Sequence, residues 1–443
     1  WFESNMNTIK KILNSFRIDQ CSWAPEQEPK KFHVFALLLI FLLFSGLYGL
    51  LGWLFMRLGC FSHVDIFFGA DARWMVGDIA EFAANHYRTN THPLGVLLVN
   101  PVGTLLNLLV RSPQTTALLI TALTGGGFVV LLVVFLLRLC ISKTLAVLCA
   151  FLGGLSACNL LWSAVPDYFL LDGISLLFFC WVVTAHPHKL WLVVVSAAIA
   201  AGTVTTNLPV VVMIYTVARH GIRQKLSVML RDGIKFFVLI LALVTMLAVV
   251  QDLIYPSSTL FFRTHALQSR TMYMSSESTI GRFALFVPYL FLFNILFPSV
   301  ARVSLGAEGL AGIRFPITKL SACTELFTPM GWLFVLLWLV LLGFSLWVCI
   351  REKQMAKPLT VLLALCLLFN VALHLFYGRP DEFFLYTPHW TFMVIALLGI
   401  SLDVISRKFR QVFLAIVIYL LLLVVLLIAN NATVIRKILD ILE

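Results

Sequence analysis

Apolar residues run through this chain in long unbroken blocks separated by short polar turns, and neither strand alternation nor an amphipathic stripe dominates. Nine blocks, at 32–56, 117–137, 143–162, 169–184, 236–255, 331–350, 359–376, 390–405 and 412–428, predict membrane-spanning helices. The warrant is length, since roughly 20 helical residues match a ~30 Å hydrocarbon layer. Three other runs are irregular. The run 94–110 contains Asn100, Pro101 and Gly103, and 283–300 contains Pro288, Asn294 and Pro298. The run 190–217 is long and is broken at Thr203-Val204-Thr205-Thr206-Asn207-Leu208-Pro209 by polar residues and a helix stopper.

Flanking charge arbitrates between two ways of threading these segments. Suppose 94–110 stays on the outer side as a re-entrant or interfacial helix, and 190–217 divides into two short helices meeting at Thr206-Asn207. Then Arg138, Lys143, Lys189, the basic run 219–235 and the turns 351–357 and 407–410 all fall on the cytosolic side, as the positive-inside rule requires. If 94–110 spans and 190–217 is one helix, Arg138, Lys143 and Lys189 move outside. The first threading is the expectation: an all-α polytopic membrane protein of about eleven transmembrane helices, nine blocks plus the divided pair. It leaves 63–111, 166–168, 255–330 and 377–389 together on the exterior. Residues 7–31, with Lys10, Lys11 and Arg17 among Ile9, Ile12, Leu13 and Phe16, read as a cytosolic amphipathic segment. Trp1 to Asn5 reads as an expression remnant ahead of a natural Met6, and 32–56 is too long for a cleavable signal.

Composition agrees with the pattern. Hydrophobic residues make up 60% and charged residues 12% of the 443, with a mean hydropathy of +0.96. A charge at the bilayer centre costs about 2.5–3.5 kcal/mol on insertion scales, so ionised side chains must gather in loops or a polar cavity. The net charge of +11 lies beside apolar runs and reads as anchoring to anionic lipid, so nucleic acid is excluded as a partner. The nine cysteines have no CxxC or CxxH spacing and imply neither a metal site nor a disulfide framework. Gly125-Gly126-Gly127 reads as a helix-packing surface, His186-Pro187-His188 as a turn, and Asn431-Ala432-Thr433 as a chance glycosylation sequon. No internal repeat is visible.

The polar stretch after the first block is the most informative for chemistry. A helix starting near Asp71 would carry Asp71, Trp74, Asp78, Glu81, Asn85 and Arg88 on one face and Ala72, Val76, Ile79, Ala80 and Ala83 on the other, lying flat at the interface with its acids toward a cavity or water. His86-Tyr87-Arg88 and His92-Pro93-Leu94 follow, so acids and phosphate-binding cations interleave. Pro166-Asp167-Tyr168 supplies a second exterior acid, 96 residues after Asp71, where Asp167 could equally cap a helix. The exterior turn 377–389 joins Arg379, Glu382, Tyr386 and His389, with Tyr386 and Trp390 as a sugar platform against the plainer reading of an interfacial aromatic belt.

These features resemble the GT-C class of integral-membrane glycosyltransferases, which includes lipid A aminoarabinose transferases, protein mannosyltransferases and oligosaccharyltransferase catalytic subunits. The likeness rests on the acid after helix one, the following juxtamembrane segment, the His92-Pro93-Leu94 return, Asp167 in the next exterior loop, the break at 203–209 and the large loop 255–330. It implies a catalytic module over 32–330, followed by C-terminal helices at 331–443. It also implies transfer of a sugar from a polyprenyl-phosphate donor to an acceptor hydroxyl, with inversion. That chemistry needs a carboxylate to take the acceptor proton and cations where charge grows on the leaving phosphate. Asp71 is the first choice of base, and Asp78 stays open because Asp71-Ala72-Arg73 lacks the paired acids of those families. Arg73, Arg88, His92, Arg263, His265 and Arg270 are the phosphate candidates; Asp167, Tyr168, Arg379, Glu382, Tyr386 and His389 are those for substrate.

No second acid joins Asp167 in a metal-ligand spacing, so the expectation is an enzyme without a metal or other cofactor. Its implied acceptor is a lipid-linked glycan or an envelope polysaccharide such as O antigen, handled on the periplasmic side of a bacterial inner membrane among membrane lipids. The rival readings are a lipid-linked glycan flippase or transporter, which should bury ionisable groups at mid-membrane, and a glycan ligase or polymerase, which should have arginine-rich exterior loops.

Overall fold

The computed structural model describes residues 18, 32–255, 257–262, 279–305, 310–316, 326–354, 357–376 and 380–443. The N-terminal amphipathic segment and the candidates Arg263, His265, Arg270 and Arg379 lie outside the described residues.

The described chain is an all-α membrane protein with one small hairpin. Helix α1 (Val34–Arg57) leads to a short helix α2 (Ala72–Ala80), then α3 (Gly95–Val110) and α4 (Pro113–Arg138). A broken pair follows, α5 (Lys143–Gly154) and α6 (Ala157–Trp162), then α7 (Tyr168–Ala185), α8 (Leu190–Thr203), α9 (Asn207–His220) and α10 (Leu226–Ile254). The second half holds α11 (Thr279–Pro288), strands β1 (Ala301–Leu305) and β2 (Leu310–Arg314), and α12 (Pro329–Arg351), α13 (Pro358–His374), α14 (Pro388–Lys408) and α15 (Val412–Leu442). Seven of these, α1, α4, α7, α10, α12, α14 and α15, are long and apolar enough to cross a membrane, and α3, α5, α8, α13 and the 281–293 stretch are shorter apolar helices.

Helices α14 and α7 are the most enclosed of the seven, while α1, α10 and α15 turn apolar faces outward, as lipid-facing helices should. The glycine triplet serves close packing: a Cβ on Gly126 would lie 2.1 Å from Ser45 Oγ of α1, and one on Gly125 2.3 Å from Ser163 Oγ. Helix α3, despite Pro101, is continuous; its Gly103 sits against the Ile79 carbonyl, while Val102, Leu105 and Leu109 are exposed.

The basic turns meet at one end. Arg138 donates to the Thr184 carbonyl (2.8 Å), Lys408 to Glu352 (2.7 Å), Arg407 to the Cys140 carbonyl, and Asp403 Oδ1 accepts from the Ser142 N–H (2.8 Å). The acids Asp71 and Asp167 stand at the opposite end, where α2 and α7 begin. The expected break at 203–209 is present: α8 ends at Thr203, α9 starts at Asn207, and Asn207 Nδ2 returns to the Ala200 carbonyl at 3.1 Å. His186-Pro187-His188 does form a turn.

Three expectations need correction. The block 143–162 is not one helix: Ser156 accepts from the Asn159 N–H, and the Ala157 and Cys158 N–H groups donate to the carbonyls of Ile295 and Asn294 at 2.7 and 3.0 Å. The segment after Pro288 supplies those acceptors, because a π turn at Tyr289–Phe293 delivers it in extended form beside α6. Second, the exterior is not wholly helical, since β1 pairs antiparallel with β2 and Phe67 bridges Ile313. Third, no single helix carries positions 71 to 88; α2 stops at Ala80.

Candidate active site

Helix α2 stops because its neighbours need the chain elsewhere. The following residues fold back so that His86 Nδ1 meets Asp78 Oδ1 at 2.7 Å, the Ser257 hydroxyl donates to the Ala84 carbonyl, and Thr89 Oγ1 accepts from the Thr259 N–H. These long-range bonds outweigh the helical periodicity of the local sequence. Asp78 therefore does not face water: it is fully buried and also accepts from the Tyr168 hydroxyl at 2.8 Å. Burial pushes its carboxyl up, against the lowering effect of the bonds from His86 and Tyr168.

Asp71 is placed by a strained loop. Asp65, Phe68 and Gly69 take φ values of +66°, +52° and +86°, conformations that non-glycine residues adopt at a cost. The loop is clamped by β2, with Ile313 N–H on the Ile66 carbonyl (2.7 Å) and Phe68 N–H on the Ile313 carbonyl (3.2 Å). Phe315 and Phe384 pack on the Phe68 ring at 4.4 and 4.9 Å. Asp71 occupies the N-cap position of α2, yet its side chain makes no cap bond. It forms an ion pair with Arg88 instead.

The second acid is joined to the first. Asp167 caps α7 by accepting from the Phe169 N–H (3.3 Å), and its other oxygen accepts from the Asp71 N–H at 3.0 Å. Capping and a part in the site thus coincide in one residue. Burial pushes the Asp167 carboxyl up, with Arg88 the largest opposing influence. Two helix starts and a guanidinium converge here, an arrangement that favours negative charge.

Beneath them, His92 stacks on the Tyr168 ring at 4.4 Å, and its Nδ1 is 2.7 Å from the Thr203 carbonyl. Asp172 is fully buried between His389 Nε2 (3.5 Å) and His92 Nδ1 (3.9 Å), and its Oδ1 has no hydrogen-bond partner among the described residues. Tyr386 meets Phe169 edge-on at 5.3 Å and lies 4.5 Å from the His374 ring. Trp390 is fully buried against Phe286 and His374, so the proposed sugar platform reduces to Tyr386. Glu382 lies against Gly69, where its Cγ would be 3.1 Å from an added Cβ.

The sequence-chosen residues therefore separate. Asp71, Arg88, Asp167, Tyr168, Asp78 and His92 share one network, and His389 and Tyr386 adjoin it through Asp172 and Phe169. Arg73 is apart, standing over Trp74 and lining a groove of about 800 Å³ with Glu81 and Arg111. Sequence reasoning noted His86 only within the cationic run after Asp78, without a role, and did not select Asp172 or Arg282. Arg282 is buried, donates to the His374 carbonyl (3.1 Å) and lies over Phe383. An arginine at the edge of a Pro-containing apolar run, and an aspartate inside a spanning block, are the signals that mark two of them.

Comparison with protein-family models and with curated proteins yields no match for this chain.

Proposed function

We propose that the protein is an inverting, GT-C-type glycosyltransferase that moves a sugar from a polyprenyl-phosphate donor to a hydroxyl of a lipid-linked glycan or envelope polysaccharide. In this reading the chain threads the bacterial inner membrane about eleven times, counting α5 with α6 as one crossing and α8 and α9 as a divided pair. The basic turns lie inside, by the positive-inside rule, and the acid cluster faces the periplasm. The observation that carries the reading is the Asp71–Arg88 pair held against Asp167 at the end opposite those turns.

The chemistry follows from that pair. A donor phosphate arriving sideways from the lipid competes for Arg88 and releases the Asp71 carboxylate. The acceptor oxygen attacks the anomeric carbon as Asp71 takes its proton, and the carbon–oxygen bond to phosphate breaks with the electron pair leaving on the lipid phosphate. Arg88 stabilises that growing charge in a low-dielectric site. Tyr386 and Glu382 line the sugar side.

A lipid-linked glycan transporter is the second reading, favoured by the buried His92, Asp172 and His389 group. The two separate by experiment. Purified protein in sealed proteoliposomes is supplied with polyprenyl-phosphate hexoses and a lipid-linked acceptor, and free polyprenyl phosphate is measured together with the leaflet in which the sugar lipid is found. Release that Asp71→Asn abolishes supports transfer; sugar lipid moved across the bilayer without bond cleavage refutes it.

A further inference from the structure

A polar groove opens beside the acid cluster without belonging to it. It has a volume of about 800 Å³ and runs between α2, the end of α3 and the start of α4, where Arg73, Trp74, Glu81, Asn85, Arg111 and Gln114 line it. Asp71, Arg88 and Asp167 do not. Trp74 meets Tyr87 edge-on at 5.1 Å, and Arg88 lies 5.7 Å over Tyr87, so two aromatic rings link the groove to the Asp71–Arg88 pair.

The polar lining has no work inside the fold. Arg73, Glu81, Asn85 and Arg111 are exposed, and none of their side chains makes a hydrogen bond or ion pair among the described residues. Arg73 stands 5.8 Å over the Trp74 ring. Arg111 holds its place at a cost, since it ends α3 with a φ of +56°, a left-handed conformation that usually falls to Gly or Asn. Unpaired surface charge is ordinary. Here two guanidiniums, a carboxylate, two amides and a half-buried indole converge on one concavity.

That lining selects by chemistry. Guanidinium, carboxylate and amide groups are planar and offer paired donors or acceptors at a fixed spacing, which suits adjacent hydroxyls, and an indole packs against the C–H face of a sugar ring. Two cations against one acid leave the groove positive, which favours an anionic ligand. A peptide would need a strand edge or deep apolar anchor pockets, and neither β1 nor β2 lines the groove. An acyl chain would leave Glu81 and both amides unused.

We infer that this groove binds an acidic saccharide, with its anionic groups on Arg73 and Arg111 and its hydroxyls on Glu81, Asn85 and Gln114. The inference stands apart from the transferase reading, because it uses none of the residues given a part in sugar transfer.

The test titrates the full chain, in a neutral detergent, with digalacturonate and separately with maltose, read by calorimetry. Digalacturonate should bind at least about tenfold more tightly. Arg73→Gln with Arg111→Gln should weaken digalacturonate roughly tenfold or more and barely alter maltose. The unfolding temperature should hold, since neither side chain is paired in the fold. Arg351→Gln with Arg410→Gln, exposed at the opposite end and equal in net charge, should leave binding unchanged. No binding of digalacturonate, equal affinity for the two saccharides, or the same loss in both double variants overturns the inference. So does abolition of binding by stoichiometric phosphatidylglycerol in the micelle, which would assign the groove to a lipid headgroup.

Discussion

Replacing Asp78 with asparagine should be nearly silent, although the residue is a fully buried carboxyl. His86 Nε2 lies 3.1 Å from the Phe82 carbonyl. A carbonyl only accepts, so Nε2 carries a proton. One further proton lies between His86 Nδ1 and Asp78 Oδ1. Burial raises the Asp78 carboxyl, which favours that proton on oxygen, a neutral acid donating to a neutral imidazole. An asparagine amide reproduces this pattern, with its N–H on Nδ1 and its oxygen accepting from Tyr168. Asp78→Asn should then cost under about 1 kcal/mol. Asp78→Ala strands two buried partners at about 1–3 kcal/mol each, or about 2–6 kcal/mol together. A buried ion pair predicts otherwise, because asparagine would leave an uncompensated imidazolium at about 3–5 kcal/mol. Stability against pH gives an independent arm. A carboxyl raised in the folded state contributes stability that is complete below the ordinary carboxylate range and is lost as pH climbs through its folded value. Wild type should show that loss and Asp78→Asn should lack it. Thermal unfolding in one fixed detergent, for the three proteins across pH, decides. If asparagine unfolds as early as alanine, the proton assignment is wrong.

Other outcomes follow from the same geometry. Asp71→Asn should lower sugar transfer by roughly 10²–10⁴-fold, the usual share of a general base, with the unfolding temperature little changed; full turnover would remove Asp71 from the mechanism. Gly126→Leu should destabilise by about 1–3 kcal/mol or more, since its side chain meets Ser45 and the Phe41 carbonyl; an unchanged unfolding midpoint would contradict the α1–α4 contact. In inverted membrane vesicles, a cysteine at His188 or Lys353 should react with an impermeant maleimide and one at Asn85 should not; the opposite labelling would reverse the orientation. Asn431→Asp should destabilise by about 1–3 kcal/mol, because the amide donates to the Leu155 carbonyl and accepts from the Phe297 N–H; wild-type stability would show those bonds to be dispensable.

Much of the architecture was legible in the sequence because lipid imposes simple demands. Long apolar blocks, the polar break before Pro209 and the glycine triplet each correspond to a helix, a helix end and a close crossing. What was not legible depends on partners distant in sequence. The helix pattern from Asp71 to Arg88 is locally sound, yet the fold-back to Asp78 and the contacts to residues 257–259 overrule it. Likewise, nothing within 143–162 demands a break until Asn294 and Ile295 arrive to accept the exposed N–H groups. The site was legible in part: Asp71, Asp167 and Arg88 are typed by chemistry and position, whereas Asp172 and Arg282 acquire meaning only from what surrounds them.

The interrupted crossing formed by α5 and α6 limits how the outer half of the molecule can move. Ala157 and Cys158 borrow their acceptors from residues 294–295, and Asn430 and Asn431 hold the same strand of chain at Phe297. A hinge at Ser156 that carried α6 away from this strand would orphan two donors, the Ala157 and Cys158 N–H groups, in a dry environment at once. The interruption at Ser156 is therefore a fixed joint rather than a hinge.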